Sequence, residues 1–143
     1  MNNAPAQTTY KDIAVGSAVS FTVTITPELV DAFAALSGDH NPLHMEEWYA
    51  SETAFHGRIA HGMISGALFS RLIGMHLPGK YSLYLSQSLR FHGPIAIGTR
   101  VMISGTVTHK TDVHNTVTIH TTAEDASSKK ILVSGDAMVR LLK

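Results

Sequence analysis

Residues 62–76 constrain the fold of this chain more than any other part of the sequence. Apolar residues recur there at helical spacing and cover most of the circumference of a helix, and a helix of that kind must be buried nearly all round. Glycine lowers helix stability, so Gly62, Gly66 and Gly74 indicate close packing against another part of the backbone. We therefore predict one helix over residues 62–76, lying at the centre of the core.

The rest of the chain is typical of strands that surround such a helix. Residues 17–25 alternate between apolar and polar, and a helix follows that Thr26 can cap and Gly38 can end. Beyond residue 80 the period is two, which predicts strands over residues 81–91, 101–107, 113–122 and 131–142, with turns at 110–112 and 124–128. We predict an α+β domain, an antiparallel sheet of about five strands wrapped around one long buried helix.

The composition is that of a compact globular domain. Of the 143 residues, 44% are apolar and 15% are charged, which is too apolar and too weakly charged for a disordered chain. Residues 1–16 show neither a helical nor a strand period in their apolar residues, and we predict that they form a loosely ordered N-terminal arm. The remaining residues, 17–143, are predicted to form a single domain.

Charge, cysteine content and hydropathy disfavour several classes of protein. Eleven Lys and Arg balance eleven Asp and Glu, whereas binding to nucleic acid needs concentrated positive charge. The absence of cysteine excludes a thiolate nucleophile and a disulfide scaffold. The apolar stretches fall short of the roughly 20 residues that span a bilayer, and residues 1–10 lack the pattern of a secretory signal. We expect a cytoplasmic protein without a nucleic-acid or membrane partner.

The densest group of polar residues lies at positions 38–44, which read Gly-Asp-His-Asn-Pro-Leu-His directly after the predicted end of a helix. An aspartate and a histidine whose side chains meet can transfer protons near neutral pH. Pro42 restricts the backbone and could hold Asp39 and His44 toward one point. Alternatively, Asp39 and Asn41 only make turn or cap hydrogen bonds, and the histidines are solvated.

The nine histidines do not form a recognisable metal signature. His40 and His44 are four residues apart, but Pro42 interrupts the helix that would place both on one face. His56 and His61 are five residues apart, and no carboxylate completes a set with them. We therefore expect no metal site.

Gly62 lies where the buried helix is predicted to begin. Backbone N–H groups at a helix start lack partners and carry partial positive charge. Without a side chain, Gly62 would let a carbonyl oxygen approach these groups, and a developing oxyanion would be stabilised there. The alternative is that Gly62 only permits the geometry of helix entry.

Several segments resemble the MaoC-like (R)-specific enoyl-CoA hydratases. Residues 33–44 are similar to the signature of that family, in which an aromatic, an aliphatic and a small residue precede G-D-x-N-P-[LIV]-H. Residues 59–63, 77–79 and 85–91 are similar to further stretches of the family in the same order. The resemblance extends over roughly residues 15–142, which is nearly the whole chain.

The resemblance implies a hot-dog fold and a homodimer whose sheets join edge to edge. Whether such dimers assemble further is left open. It implies reversible addition of water to trans-2-enoyl-CoA, giving (R)-3-hydroxyacyl-CoA, without a metal and with no cofactor beyond the CoA of the substrate. Asp39 and His44 would form the catalytic pair. Asn41 would order the loop or contact substrate, and the Gly62 N–H would donate to the thioester oxygen.

The resemblance also suggests that Ser70 and Ile73 contact the acyl chain, although both could be ordinary core residues. Fatty acid metabolism and the supply of polyhydroxyalkanoate precursors are the processes it points to. Three alternatives stay open. These are dehydration of a 3-hydroxyacyl group on CoA or acyl carrier protein, a hot-dog thioesterase, and a non-catalytic acyl-binding subunit.

Overall fold

A computed structural model describes residues 3–143. Its α-helices are α1 (Pro27–Ser37), α2 (Pro42–Met45), α3 (Glu47–Ser51) and α4 (Ile64–Arg71). A π-helix, Leu72–His76, continues α4, and a 3₁₀ turn lies at Val113–Asn115. The strands are β1 (Ala18–Thr24), β2 (Ser82–Gln87), β3 (Arg90–Phe91), β4 (Arg100–Thr111), β5 (Thr116–Asp125) and β6 (Ile131–Leu141).

The strands form one antiparallel sheet in the order β1-β4-β5-β6-β2, with β3 also paired to β6. The sheet wraps around α4 and the π-helix, which is the hot-dog arrangement, and the α+β prediction is confirmed. The core includes Phe69 and Leu72 from the helix and Ile103 and Ile119 from the sheet, each with no exposed surface.

The sheet has six strands because the predicted strand at 81–91 is divided in two. Both parts pair with β6, and the regular register is interrupted between them at residues 88–89, although the Ser88 N–H still donates to the Asp136 carbonyl at 3.0 Å. There the Ser88 hydroxyl accepts the Asp136 N–H at 2.8 Å, in place of a backbone carbonyl. The Ser88 carbonyl also lies against Gly135, where a Cβ would be 1.8 Å from its oxygen.

The first hairpin is longer than predicted. β4 continues to Thr111, and the reversal occurs at residues 112–115 rather than at 110–112. His114 and Asn115 take positive φ angles of 59° and 51°, a conformation that asparagine tolerates better than most residues. The strand continues past its last buried apolar residue because its pairing with β5 extends to Thr111, opposite Thr116. The Lys110 ammonium in this extension also donates to the carbonyls of Tyr10 and Ile13.

The central helix is buried on one side only. Ile73 is 1% exposed, whereas Met63 is 55% exposed and Ala67 and Ser70 also face solvent, so the prediction of burial nearly all round is wrong for the single chain. The sheet lies against one face of the helix and leaves the other open. α4 also begins at Ile64, two residues later than predicted.

Of the three glycines predicted to allow close packing, only Gly62 has a near neighbour, the Phe91 ring, and the close contact of the central helix itself lies at a glycine of the sheet. A Cβ on Gly105 would lie 2.4 Å from Leu72 Cδ2, whereas nothing lies within 4 Å of the corresponding position on Gly74. At Gly66 the nearest atom, Leu89 Cδ1, is at an ordinary contact distance of 3.4 Å. The small residue that lets helix and sheet pack closely is therefore Gly105 of β4.

The predicted loose arm over residues 1–16 is wrong for its described part, residues 3–16. Ile13 is 2% exposed and belongs to the core. The Ala6 N–H donates to the Met75 carbonyl at 2.9 Å, and the Ala6 carbonyl accepts the Lys80 N–H at 2.8 Å. These long-range hydrogen bonds have no periodic signature in the sequence. Residues 1 and 2 of the predicted arm lie outside the described residues.

Within residues 3–143, no helix has both the length and the apolar character needed to cross a membrane.

Candidate active site

The end of α1 presents the polar loop at residues 38–44. Thr26 Oγ1 accepts the Leu29 N–H at 3.1 Å and caps the start of this helix, as predicted. Gly38 takes a left-handed φ of 80°, and its N–H donates to the Ala34 carbonyl at 2.8 Å. Glycine ends helices in this way because a side chain would be strained at that angle. The chain therefore turns sharply at Gly38, and Asp39 follows at once.

Local hydrogen bonds shape the loop itself. Asp39 Oδ1 accepts the Asn41 N–H at 3.1 Å, and Asn41 Oδ1 accepts the Leu43 N–H at 3.0 Å, capping α2. Pro42 is the first residue of that short helix, a position suited to its fixed φ. The turn and cap roles foreseen for Asp39 and Asn41 are therefore present. They occupy only one oxygen of the Asp39 carboxylate, so they do not exclude a chemical role.

Residues 58–61, here called the brace segment, hold the loop from its other side. The Ile59 N–H donates to the Leu43 carbonyl at 3.3 Å, and the Arg58 guanidinium Nε donates to the His44 carbonyl. His44 Nδ1 donates to the Ile59 carbonyl at 2.8 Å. Because a carbonyl can only accept, Nδ1 carries the proton, and Nε2 is the nitrogen that remains for chemistry.

The brace segment is itself fixed to the body of the domain. The Ala60 N–H donates to the Ile95 carbonyl at 2.7 Å, and the Ile97 N–H donates to the Arg58 carbonyl at 3.3 Å. The Arg58 guanidinium also donates to the Asp31 carboxylate on α1 at 2.8 Å, and the Arg58 side chain is 14% exposed. Arg58 thus ties helix α1 to the polar loop.

Asp39, His44 and His61 come together at this loop. Each offers one oxygen or ring nitrogen, and the three atoms lie within 4.8 Å of one another. Asp39 is exposed, His44 is half-buried and His61 is 2% exposed. The predicted convergence of Asp39 and His44 is therefore present in the structure. No role in the site is predicted for His61 from the sequence, although its position directly before Gly62, within the family-like stretch at residues 59–63, is a signal that could have placed it here.

This spacing suits a shared water. Two groups that hydrogen-bond one water at about 2.8 Å and a tetrahedral angle lie about 4.6 Å apart. The Asp39 carboxylate and a ring nitrogen of His44 lie within 4.8 Å of each other and can therefore hold one water between them. Two imidazoles and a carboxylate are also a donor set that zinc accepts, with ligands at about 2.0–2.2 Å. The expectation of no metal site stays a prediction.

A cavity of about 290 Å³ lies beside His44 and brings Gly62 to the same place. Its walls are mostly apolar and include Phe55, Ile59 and Phe91. Gly62 lies in the turn just before α4, and within residues 3–143 its N–H has no hydrogen-bond acceptor. A Cβ at Gly62 would lie 2.8 Å from the Phe91 ring, so only glycine fits beneath that ring without displacing it.

The two residues suggested for the acyl chain lie elsewhere in the single chain. Ser70 is exposed on α4, and Ile73 is buried in the core. Neither lines the cavity that His44 and Gly62 share. Their contact with an acyl chain stays a prediction.

Comparison with known proteins shows the family to which this chain belongs. The family model for the MaoC like domain matches residues 11–129. An (R)-specific enoyl-CoA hydratase of Rhodospirillum rubrum is 40% identical over 130 residues, covering 91% of this chain and 89% of the relative.

Two solved structures are similar over nearly the full length. R-Hydratase PhaJ1 from Pseudomonas aeruginosa superposes with a TM-score of 0.91 at 37% identity, covering 94% of this chain and 86% of that one. The (R)-hydratase from Aeromonas caviae involved in PHA biosynthesis has a TM-score of 0.88 at 38% identity, with coverage of 92% and 98%. With its fold, its polar loop and its family match in agreement, this chain belongs to the MaoC-like domain family.

Proposed function

We propose that this protein is an (R)-specific enoyl-CoA hydratase, a hydro-lyase that adds water to trans-2-enoyl-CoA to give (R)-3-hydroxyacyl-CoA. One observation carries the proposal: Asp39 and His44 converge beside a cavity into which the Gly62 backbone also opens. Relatives that cover nearly the whole chain bear the name of this activity. The reaction needs no cofactor other than the CoA of the substrate.

The chemistry follows from the positions of these groups. The thioester carbonyl withdraws electrons, which makes C3 of the enoyl chain electrophilic. A water held between Asp39 and His44 attacks C3 from one fixed face, and this positioning sets the handedness of the product. As the C3–O bond forms, the C2–C3 double bond breaks and charge develops on the thioester oxygen. A hydrogen bond from the Gly62 N–H stabilises that charge.

Two proton movements complete the reaction. Asp39, whose carboxylate is the more exposed group, takes one proton from the attacking water. His44 orients the water by accepting its hydrogen bond at Nε2, and it takes part in passing this same proton on to C2. The hydroxyl on C3 and the new hydrogen on C2 thus come from one water, the thioester carbonyl is restored, and both side chains return to their starting state. The reverse sequence is dehydration of a 3-hydroxyacyl thioester, so the same site catalyses both directions.

The decisive assay uses purified protein, crotonyl-CoA and a chelator at neutral pH. We expect the absorbance of the enoyl thioester to fall and chiral chromatography to show (R)-3-hydroxybutyryl-CoA. Free CoA thiol, followed in parallel, should not appear. Release of thiol without loss of the double bond would instead indicate a thioesterase, and formation of the (S) product would contradict the proposed face of attack.

We also propose that the protein is a homodimer joined at the β2 edge of its sheet. β2 is one of the two terminal strands, and its Leu83 and Leu85 side chains are 47% and 50% exposed. The unpaired backbone N–H and C=O groups of an apolar edge strand can pair with the edge strand of another chain. Light scattering after size-exclusion chromatography should give twice the chain mass. Leu83→Lys together with Leu85→Lys should give the mass of one chain, and a monomeric parent protein would refute this assembly.

The remaining expectations concern the setting of the reaction. We propose short- to medium-chain enoyl-CoA substrates, since the apolar cavity beside His44 is small. We also propose a cytoplasmic enzyme, because CoA thioesters are made and consumed there. The product is a polyester precursor, and one similar structure is described as involved in PHA biosynthesis, which supports a role in polyhydroxyalkanoate supply. A rate series over enoyl-CoA chain lengths tests the substrate range.

A further inference from the structure

We infer that His61 is a positioning residue that sets the relative placement of Asp39 and His44. The inference rests on the proposed hydratase function and concerns a side chain to which that function assigns no step. His61 is 2% exposed and directly precedes Gly62, so it belongs to the brace segment rather than to the polar loop.

The first contact is with the backbone of Asp39. His61 Nε2 donates to the Asp39 carbonyl at 2.8 Å, across 22 residues of sequence. Asp39 is exposed, and its other hydrogen bonds, to Ser37 Oγ and from the Asn41 N–H, stay within the loop and the end of α1, so only the bond from His61 ties this residue to the brace segment. A hydrogen bond from a buried ring therefore determines where the Asp39 backbone lies, and the direction of its carboxylate follows.

The second contact is with the ring of His44. The two imidazole centroids are 4.1 Å apart with planes inclined by 32°, and the Phe33 ring lies against His61 at 4.8 Å. His44 is held at Nδ1 by the Ile59 carbonyl, a single hydrogen bond about which the ring could still swing. Stacking on His61 restricts the rotation of the His44 ring and so fixes the direction in which His44 Nε2 points. One buried side chain thus touches both members of the catalytic pair.

The protonation of the His61 ring follows from its partners. Since the Asp39 carbonyl can only accept, His61 Nε2 carries the proton. In the neutral ring, Nδ1 then carries a lone pair and can only accept a hydrogen bond. Nδ1 is buried and has no hydrogen-bond partner within residues 3–143. A buried N–H in that position would be costly. The ring is therefore built to donate to Asp39 and to stack on His44, and it transfers no proton in the reaction.

Two variants separate the hydrogen bond from the ring. His61→Phe keeps an aromatic ring against Phe33 and His44 but cannot donate to Asp39. His61→Gln loses the ring, yet its amide nitrogen reaches about as far as imidazole Nε2 and can donate. We expect the phenylalanine variant to lower kcat on crotonyl-CoA by about 10- to 100-fold, the cost of misplacing reacting groups by about 1 Å. The glutamine variant should recover part of that loss.

Two further measurements distinguish positioning from other roles. Binding of butyryl-CoA, the saturated and unreactive analogue, should keep its Kd in both variants, because His61 does not touch the substrate. Nitrogen-15 spectra of the imidazoles in the parent protein should show the proton of His61 on Nε2 and that of His44 on Nδ1. This spectroscopic result does not depend on activity or on the folding of a variant.

Each other outcome overturns the inference. Wild-type kcat in both variants would make His61 an ordinary packing residue. A loss in both variants as large as that of Asp39→Asn would make it a proton-transfer group. A proton on His61 Nδ1 in the spectra would contradict the hydrogen bond to Asp39. Failure of the parent protein to hydrate crotonyl-CoA would refute the proposed function, while the spectra would still test the placement of His61.

Discussion

Replacing Asp39 with asparagine should lower the rate of crotonyl-CoA hydration by about 10²-fold or more, and His44→Ala should do the same. Asparagine keeps the oxygen that accepts the Asn41 N–H, so the loop retains its shape while the base is lost. Alanine at position 44 removes the nitrogen that orients the water. The measurement is the initial rate of absorbance loss, with circular dichroism to show that both variants are folded.

A matched control is available in the same loop. His40 is exposed, and it lies between Asp39 and Asn41 without joining the group formed by Asp39, His44 and His61. His40→Ala should therefore hydrate crotonyl-CoA at nearly the parent rate. If the Asp39 and His44 variants matched the His40 variant, the assignment of the catalytic pair would be wrong.

The largest effect on stability is expected from Phe69→Ala. Phe69 has no exposed surface and lies on α4, where the helix meets the sheet. Removing a buried aromatic ring leaves a cavity and costs about 3–5 kcal/mol of the free energy of unfolding. Denaturant unfolding at a fixed protein concentration measures this cost, and the fixed concentration matters because association contributes to apparent stability.

Leu36→Ala is the control for that measurement. It also removes a large apolar side chain from a helix, but Leu36 is 84% exposed at the end of α1. Surface substitutions of this kind usually change stability by less than about 0.5 kcal/mol. Equal losses in the two variants would mean that burial in the central helix is not what stabilises the domain.

Features encoded within a few neighbouring residues were predicted well. Both ends of α1 were identified because capping by Thr26 and termination at Gly38 are local chemistry. The alternating strands and the α+β class followed from a period of two, which the sheet imposes on any half-buried strand. The polar loop was recognised because its residues are adjacent in sequence. What the catalytic pair does there came from the resemblance to a family.

Features that depend on distant contacts were missed or misplaced. The N-terminal segment was expected to be loose, yet its backbone bonds to the end of the central helix and its Ile13 enters the core. The helix was expected to be enclosed, but the sheet covers only one of its faces. Close packing was expected at Gly66 and Gly74 of the helix, whereas the close contacts lie at Gly62, just before the helix, and at Gly105 of the sheet.

The sequence by itself determined the fold class, the ends of the first helix and the loop that carries Asp39 and His44, because each depends on local propensity and spacing. Only the tertiary structure decided that residues 58–61 hold this loop and that His61 touches both members of the pair. The His61–Asp39 hydrogen bond joins residues 22 positions apart. Such a contact exists only after the chain has folded, since nothing in the local pattern of either segment specifies the other.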